Sequence, residues 1–380
     1  MVDLWVVVGV LFAIISIPYL FVLIGLALIR PEGSPADKSP IEPSVSILLP
    51  TYNEERIIER KLQELVDLAY PAEKLQVVIV DSSDDATPDI VEAFFEGRSS
   101  PTLTLIREDE RRGVASAINT ALEHIEHEIV VRTDCDSSIA RVGIAEAVSN
   151  FADDDIGAVT GRHAEVIGGS AVESGYRGML DRVQALESHL DSTFIFHGPF
   201  SAYRTTYLEP LDPRSLADDT EFAVNIRRQG KRVIFDPSMQ FEEASRSGIL
   251  ARRRQKDRRA MGLLRLLGAN RDAIGHLGRY GKVVLPLNWW FMVISPWLLA
   301  LAVFTTVVVS LLEFGALGMA VPIALGVFVL VGQRDLLGPL QFLYSFIDTQ
   351  VSLIVAGVKL VVYDADGMWE PEAELREAFD

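Results

Sequence analysis

The sequence predicts an α/β protein: a mostly parallel sheet with helices on both faces, set between transmembrane helices at the N- and C-terminal ends. Three observations predict it. From residue 45 to residue 132, apolar runs of strand length alternate with amphipathic stretches of helical spacing, the βαβα pattern of a parallel sheet. Polar and acidic clusters follow the ends of successive strand runs, where open α/β sheets bind ligands. The residues that raise the hydrophobic fraction to 49% and the mean hydropathy to +0.23 concentrate outside this region, in 4–29 and 283–362.

Residues 1–30 read as an uncleaved anchor. The run 4–29 is apolar throughout and would extend roughly 39 Å as a helix, enough to cross a bilayer with tilt. It lacks the basic leader and small-residue cleavage site of a signal peptide. Residues 31–44 carry four prolines and read as a linker. The domain 45–245 opens with strand 45–49 and helix 56–68. Strand 75–80 ends at Asp81, and helix 89–95, strand 103–106 and helix 113–125 follow. Strand 129–132 delivers Asp134. The segment 246–282 holds 11 Lys or Arg against Asp257 and Asp272. That local excess fits an interfacial helix against anionic lipid or a phosphate-binding surface. Residues 283–362 read as three spans, 283–312, 314–332 and 340–362, with 363–380 as an acidic tail. Trp289, Trp290 and Trp297 suit a headgroup boundary. The last span carries Asp348, Gln350 and Lys359, which are costly in lipid unless they face protein or a water-lined path. It is either a crossing or a re-entrant or interfacial segment. Basic flanks at Arg30, Lys38, Lys282 and Arg334 predict a multi-pass protein of the cell membrane, with the 31–282 region cytoplasmic and both termini outside.

The net charge of −18 argues against nucleic acid as a partner. Only seven of the 35 basic residues are Lys, a composition expected of a high-salt cytoplasm. The single cysteine, Cys135, excludes an intrachain disulfide and reads as a small packing residue.

Four clusters carry the chemistry. In Asp134-Cys135-Asp136, residues i and i+2 of an extended chain share a face, so two carboxylates can address one hard cation, Mg²⁺ or Mn²⁺, shared with a diphosphate. Asp81-Ser82-Ser83-Asp84-Asp85 can place Asp81 on a nucleotide, with Asp85 or Thr87 capping the next helix. Asp218-Asp219-Thr220-Glu221 opens a helical stretch, where acidic residues cap the N-terminus or supply a general base. In Gln255-Lys256-Asp257-Arg258-Arg259, guanidinium groups can address phosphate. No Gly-x-Gly-x-x-Gly follows the first strand, which sets a dehydrogenase aside.

Taken in order, these residues resemble the family 2 glycosyltransferases, the group that includes cellulose, chitin and hyaluronan synthases and the polyprenyl-phosphate sugar transferases. The resemblance covers roughly residues 45–270 and implies a GT-A-like, nucleotide-sugar-binding fold. Pro50-Thr51-Tyr52-Asn53-Glu54-Glu55 is similar to the family's opening strand end, so Pro50, Thr51, Tyr52 and Glu54 are implied at the nucleotide sugar. Asp81 falls on its nucleotide-contacting aspartate, Asp134 and Asp136 on its metal motif, and Asp219 on its catalytic base. The segment from Gly198 to Arg204, with Tyr203, resembles the acceptor side. Asp218, Gln255, Arg258 and Arg259 are implied at the acceptor or diphosphate, since Gln255-x-x-Arg258-Arg259 resembles the Gln-x-x-Arg-Trp motif of the synthase-like branch.

Three departures stand out. Arg259 replaces the Trp of that branch. Val114 stands where a Gly-Lys pair is usual, leaving the cation to Arg111 or Arg112. The early cluster is Asp-Ser-Ser-Asp-Asp rather than Asp-Asp-Gly-Ser. The resemblance implies a metal-dependent, inverting transferase that moves one sugar from a nucleotide diphosphate sugar to a membrane-embedded acceptor, polyprenyl-linked, for surface glycans or protein glycosylation. The alternatives are a processive polysaccharide synthase and an inactive nucleotide-binding scaffold.

Overall fold

The computed structural model describes residues 4–167, 171–244 and 249–362; the predicted acidic tail 363–380 lies outside them. Helix α1 (Leu4–Ile29) leads into an alternating run. It comprises β1 (Val45–Thr51), α2 (Ile58–Val66), β2 (Leu75–Asp81), α3 (Thr87–Phe95), β3 (Thr102–Arg107), α4 (Val114–Leu122) and β4 (Ile129–Arg132). There follow β5 (Ser137–Ile139), α5 (Gly143–Ser149), β6 (Ile156–Ile167), α6 (Ala171–Leu190), β7 (Ser201–Arg204), α7 (Asp218–Arg228) and β8 (Arg232–Ala244).

All eight strands form one sheet in the order β3-β2-β1-β4-β7-β6-β8-β5. The first four are parallel, in the register Leu49↔Ile79 and Ile47↔Val131. Beyond β4 the sheet is mixed. β7 is antiparallel to both neighbours, β6 and β8 are parallel, and β5 returns antiparallel to β8. Alternation along the strands builds two cores. Val77 and Ile79 face Ile58, Leu62, Val91 and Ile144 on one side, whereas Val78 and Val80 face Ile118, Ala121 and Phe222 on the other. Helices therefore cover both faces. The parallel strands bring Thr51, Asp81 and the chain just past Arg132 to one edge.

Helix α8 (Ile249–Ala269) leaves the sheet, and a continuous helical run follows from Tyr280 to Gly332. That run contains α9 (Leu285–Trp289), α10 (Ser295–Phe314) and α11 (Ala320–Gly332). The boundary near residue 313 predicted by the sequence is a 3₁₀ turn at Gly315–Met319 that folds α11 back on α10. The last helix is α12 (Gln341–Val362). Among the described residues, three helical stretches are long and apolar enough to cross a membrane: Leu4–Ile29, Tyr280–Gly332 and Gly338–Val362. α1 and α10 pack side by side in opposite directions. The Trp5 indole donates to Glu313 Oε2 (2.7 Å) at one end, and the Tyr19 and Ser295 hydroxyls lie 3.1 Å apart nearer the other.

Asp348 and Lys359 of α12 face α8. Asp348 accepts from Arg253 (2.8 Å) and Lys256 (2.7 Å), and Lys359 donates to Asp257 (3.0 Å). Between them Leu353 and Ala356 pack on Ala260, with Met261 and Leu264 at the margin. Arg253 and Lys256 are thus paired with Asp348, while Lys359 in turn takes Asp257, so α12 brings one charge of each sign and the basic excess of α8 stands.

Candidate active site

The strand ends build the nucleotide edge. Thr51 and Asp81 are register partners, and Thr51 Oγ1 donates to Asp81 Oδ2 at 2.6 Å. The Ser83 amide and hydroxyl also donate to Asp81, at 3.0 and 2.8 Å. Asn53 adopts a left-handed conformation (φ 55°), which its short polar side chain tolerates. Its amide donates to Ser83 Oγ (2.7 Å), and its Oδ1 accepts from the Asp84 amide (3.0 Å). Glu54 is buried, with its amide on Thr87 Oγ1 (2.8 Å). Asp85 Oδ1 takes the Thr87 amide (2.9 Å), an Asx turn at the start of α3. The two loops therefore brace each other with Asp81 at their base.

Of the two candidate cations, Arg111 lies over the Tyr52 ring, 3.9 Å from its centroid. Arg112, the other, is paired with Glu108 and donates to Thr120 Oγ1 (3.2 Å).

Asp134-Cys135-Asp136 is a turn between β4 and β5 rather than extended chain. The Ser137 hydroxyl donates to the Asp134 carbonyl (2.8 Å) and closes it. Asp134 and Asp136 keep part of their surface open, while Cys135 points into the first core, where burial pushes its thiol up. Burial also raises the Asp134 carboxyl, against the Arg132 guanidinium, and the Asp218 and Glu243 carboxylates add to the rise. Surplus negative charge of this kind is what a divalent cation offsets. Among the described residues no three His, Cys, Asp or Glu side chains converge on one point. Two carboxylates, with phosphate and water completing the shell, is the manner in which Mg²⁺ is usually held, and Asp134 and Asp136 fit that role.

Arg132 joins this turn to the other acidic pair. Its buried guanidinium reaches Asp134 Oδ1 (3.3 Å) and Asp218 Oδ2 (2.8 Å). Gly198 permits this, because a Cβ there would stand 2.4 Å from Arg132 Nη1. Gly198 thus acts by making room for the arginine.

Asp218 and Asp219 open α7, and neither is its N-cap. Asp219 Oδ1 accepts the Thr220 amide (2.6 Å). Burial, then the neighbouring Asp218 carboxylate, pushes Asp219 up to about 6, with Arg132 opposing. Tyr203, expected on the acceptor side, is a core residue. It is 1% exposed and packs between Phe196 and Phe222, and its hydroxyl touches the Asp219 carbonyl at 3.4 Å. Its β-strand places the ring inward, so it supports Asp219 from beneath.

α8 closes the site from the other side. Gly262 lets it approach the Leu216 carbonyl just before α7, where a Cβ would stand 2.7 Å away. Gln255 and Arg259 both donate to Glu243 at the end of β8, at 3.5 and 3.2 Å. His163 Nε2 lies 3.8 Å from the same carboxylate. Arg258 is half-buried on the same helix. His197, beside Gly198, is pushed down to about 3 by burial, with Arg259 adding to the shift, and stays neutral; its Nε2 lies 3.0 Å from Gln184 Oε1. Arg132 was not singled out from the sequence, and Glu243 entered only within Phe241-Glu242-Glu243-Ala244, which resembles the family's lead-in to the Gln-x-x-Arg motif, with no role of its own. Only the contiguity of Arg132 with Asp134 was there to mark the arginine.

Comparison with known proteins bears on the family and the fold. The profile described as glycosyl transferase family 2 matches residues 46–211, and that described as glycosyl transferase family group 2 matches residues 129–331. The chain belongs to glycosyltransferase family 2. It is 25% identical over 213 residues to a probable glycosyltransferase, YdaM, of Bacillus subtilis, covering 52% of this chain and 49% of that one. It is 31% identical over 129 residues to the glycosyltransferase AglE of Haloferax volcanii, covering 34% and 39%. The chain thus spans about half or less of the length of these curated relatives. A solved structure, the mannosyltransferase PcManGT of Pyrobaculum calidifontis in complex with GDP-Man and Mn²⁺, is 29% identical. It superposes with a TM-score of 0.78 over 94% of this chain and 99% of its own.

Proposed function

We propose that the protein is a metal-dependent, inverting glycosyltransferase that adds one sugar from a nucleotide diphosphate sugar to a membrane-embedded, polyprenyl-linked acceptor. The observation that carries this reading is the Arg132 bridge. One guanidinium links Asp134 of the metal turn to Asp218, next to the candidate base Asp219. Donor activation and acceptor deprotonation would then occur on either side of a single fixed charge.

In this reading Pro50, Thr51, Tyr52, Glu54 and Asp81 shape the nucleotide pocket, with Arg111 rather than Arg112 above it. Asp134 and Asp136 would hold Mg²⁺ or Mn²⁺, which supplies charge stabilisation for the departing diphosphate. Asp219 would take the proton of the acceptor hydroxyl as that oxygen attacks the anomeric carbon and the bond to the diphosphate breaks. Gln255, Arg258 and Arg259, carried on α8, would meet the acceptor phosphate, the two arginines through their guanidinium groups. The apolar α1 and the 280–332 run would anchor the protein, with the catalytic domain on the cytoplasmic face. PcManGT was solved with GDP-Man, which makes GDP-mannose the first donor to offer.

The test is mass analysis of lipid-extracted and water-soluble products from purified enzyme given GDP-mannose and other nucleotide sugars in excess, with membrane lipid extract. Addition of one sugar to a lipid is expected. A ladder of added residues, or polymer released to solution, would replace this reading with a processive synthase.

A further inference from the structure

Behind the metal turn lies a charge that the chemistry above does not use. Lys61, on α2, is 0% exposed. An ammonium has three N–H donors and must find a partner for each when buried. Lys61 Nζ finds three: Glu64 Oε1 at 2.9 Å, Thr133 Oγ1 at 3.0 Å and the Ser137 carbonyl at 3.0 Å. Thr133 immediately precedes Asp134-Cys135-Asp136, and Ser137 immediately follows it. Glu64 continues the brace, since its Oε1 also accepts the Ile139 amide at 3.0 Å. The Thr133 and Ser137 hydroxyls lie 3.3 Å apart across the neck of the turn. One turn of α2 therefore grips the acidic turn at its entry, its exit and the strand beyond.

A buried ion pair contributes little net stability, because desolvation offsets much of its attraction; apolar residues of similar volume often serve folding as well or better. Its use at this place is geometric. We infer that Lys61, with Glu64, is a positioning residue that presets the Asp134-Cys135-Asp136 turn for its cation. The inference rests on the reading of Asp134 and Asp136 as metal ligands. Lys61 itself is 0% exposed, and its ammonium is directed at Glu64, Thr133 and Ser137. It acts through the carbonyl and hydroxyl that set the span of the turn, as outer-shell partners orient metal ligands elsewhere.

The experiment measures binding of Mn²⁺ in the presence of GDP or UDP by the detergent-solubilised full chain, using the electron paramagnetic resonance signal of free Mn²⁺, alongside thermal melting. Four proteins are compared: wild type, Lys61→Met, Lys61→Met/Glu64→Leu and Thr133→Val. Lys61→Met alone should melt lower, because Glu64 loses its counter-charge. The double variant removes both charges but also the acceptor of the Ile139 amide, so it should recover part of the melting temperature. Its Mn²⁺ affinity should nevertheless stay about 10-fold or more below wild type, the scale of losing an outer-shell partner. Should the double variant fail to fold, Thr133→Val decides, with an expected loss of about 3-fold or more from removing one of the three acceptors.

Folded variants that bind Mn²⁺ as wild type does would overturn the positioning role while leaving the metal assignment intact. A wild type with no nucleotide-dependent Mn²⁺ binding would remove the metal assignment and the inference with it.

Discussion

Asp219→Asn is expected to lower turnover by about 10²-fold or more, the range lost when a general base is removed, while donor binding persists. The substitution keeps the side-chain shape and an oxygen to accept the Thr220 amide, so α7 should start as before. The amide cannot take a proton from the acceptor. A pH profile sharpens the test. With the Asp219 carboxyl raised to about 6 by burial and by Asp218, the base is ionised and competent above that value and protonated below it. The wild-type rate should therefore rise with pH through about 6 and level off, and this step should vanish in the variant. Near-normal turnover in Asp219→Asn would remove the assignment, and a profile flat from pH 5 to 8 would contradict the shifted carboxyl.

Removal of the divalent cation should be as damaging. Transfer should stop in excess EDTA and return on addition of Mn²⁺ or Mg²⁺. Asp136→Ala should lose metal-dependent donor binding and at least about 10²-fold in rate, given the several kcal/mol of charge stabilisation a bound cation provides. Asp134→Ala should cost more than metal binding, because it also takes one carboxylate from Arg132 and leaves that buried guanidinium to Asp218 alone. The two variants should therefore separate in thermal melting, with Asp134→Ala the less stable. Full activity in EDTA, measured on enzyme stripped of metal, would refute the cation's part.

The sequence made the front of the site readable because its signals are local. Strands 45–49, 75–80 and 129–132 are apolar runs bounded by polar punctuation, and each cluster follows its strand directly. Their convergence on one edge then follows from parallel pairing. What could not be read depends on residues far apart in the chain. Arg132 looks like the polar end of a strand until Asp218, 86 positions later, is placed against it. Lys61 sits in an amphipathic helix among solvent-facing charges, and only the pairing of α2 with the turn after β4 shows it to be buried. Tyr203 was assigned to the acceptor by its motif, whereas the alternation of β7 turns it inward. The mixed half of the sheet escaped because β6, β7 and β8 are separated by helices and loops of unequal length, with no repeating period to announce them. The partner of Arg253 and Lys256 escaped for the same reason, Asp348 lying 95 positions downstream of Arg253.

Parity of crossings, rather than the number of apolar segments, decides on which face a membrane chain ends. Four crossings would return the end of this chain to the side on which it began. Asp348 and Lys359 are separated by about 16 Å of helix, yet both bind within residues 253–257 of α8. Should this fastening hold α12 on the side of α8, with α1 as one crossing and the 280–332 run as two, the count would be odd and the chain would leave α12 on the face opposite to the one on which it began. Should α12 cross, as its length and composition allow, the count would be even. With the odd count, a protease-sensitive tag fused to the last residue would share the catalytic domain's protection in sealed vesicles, and one fused to the first residue would not.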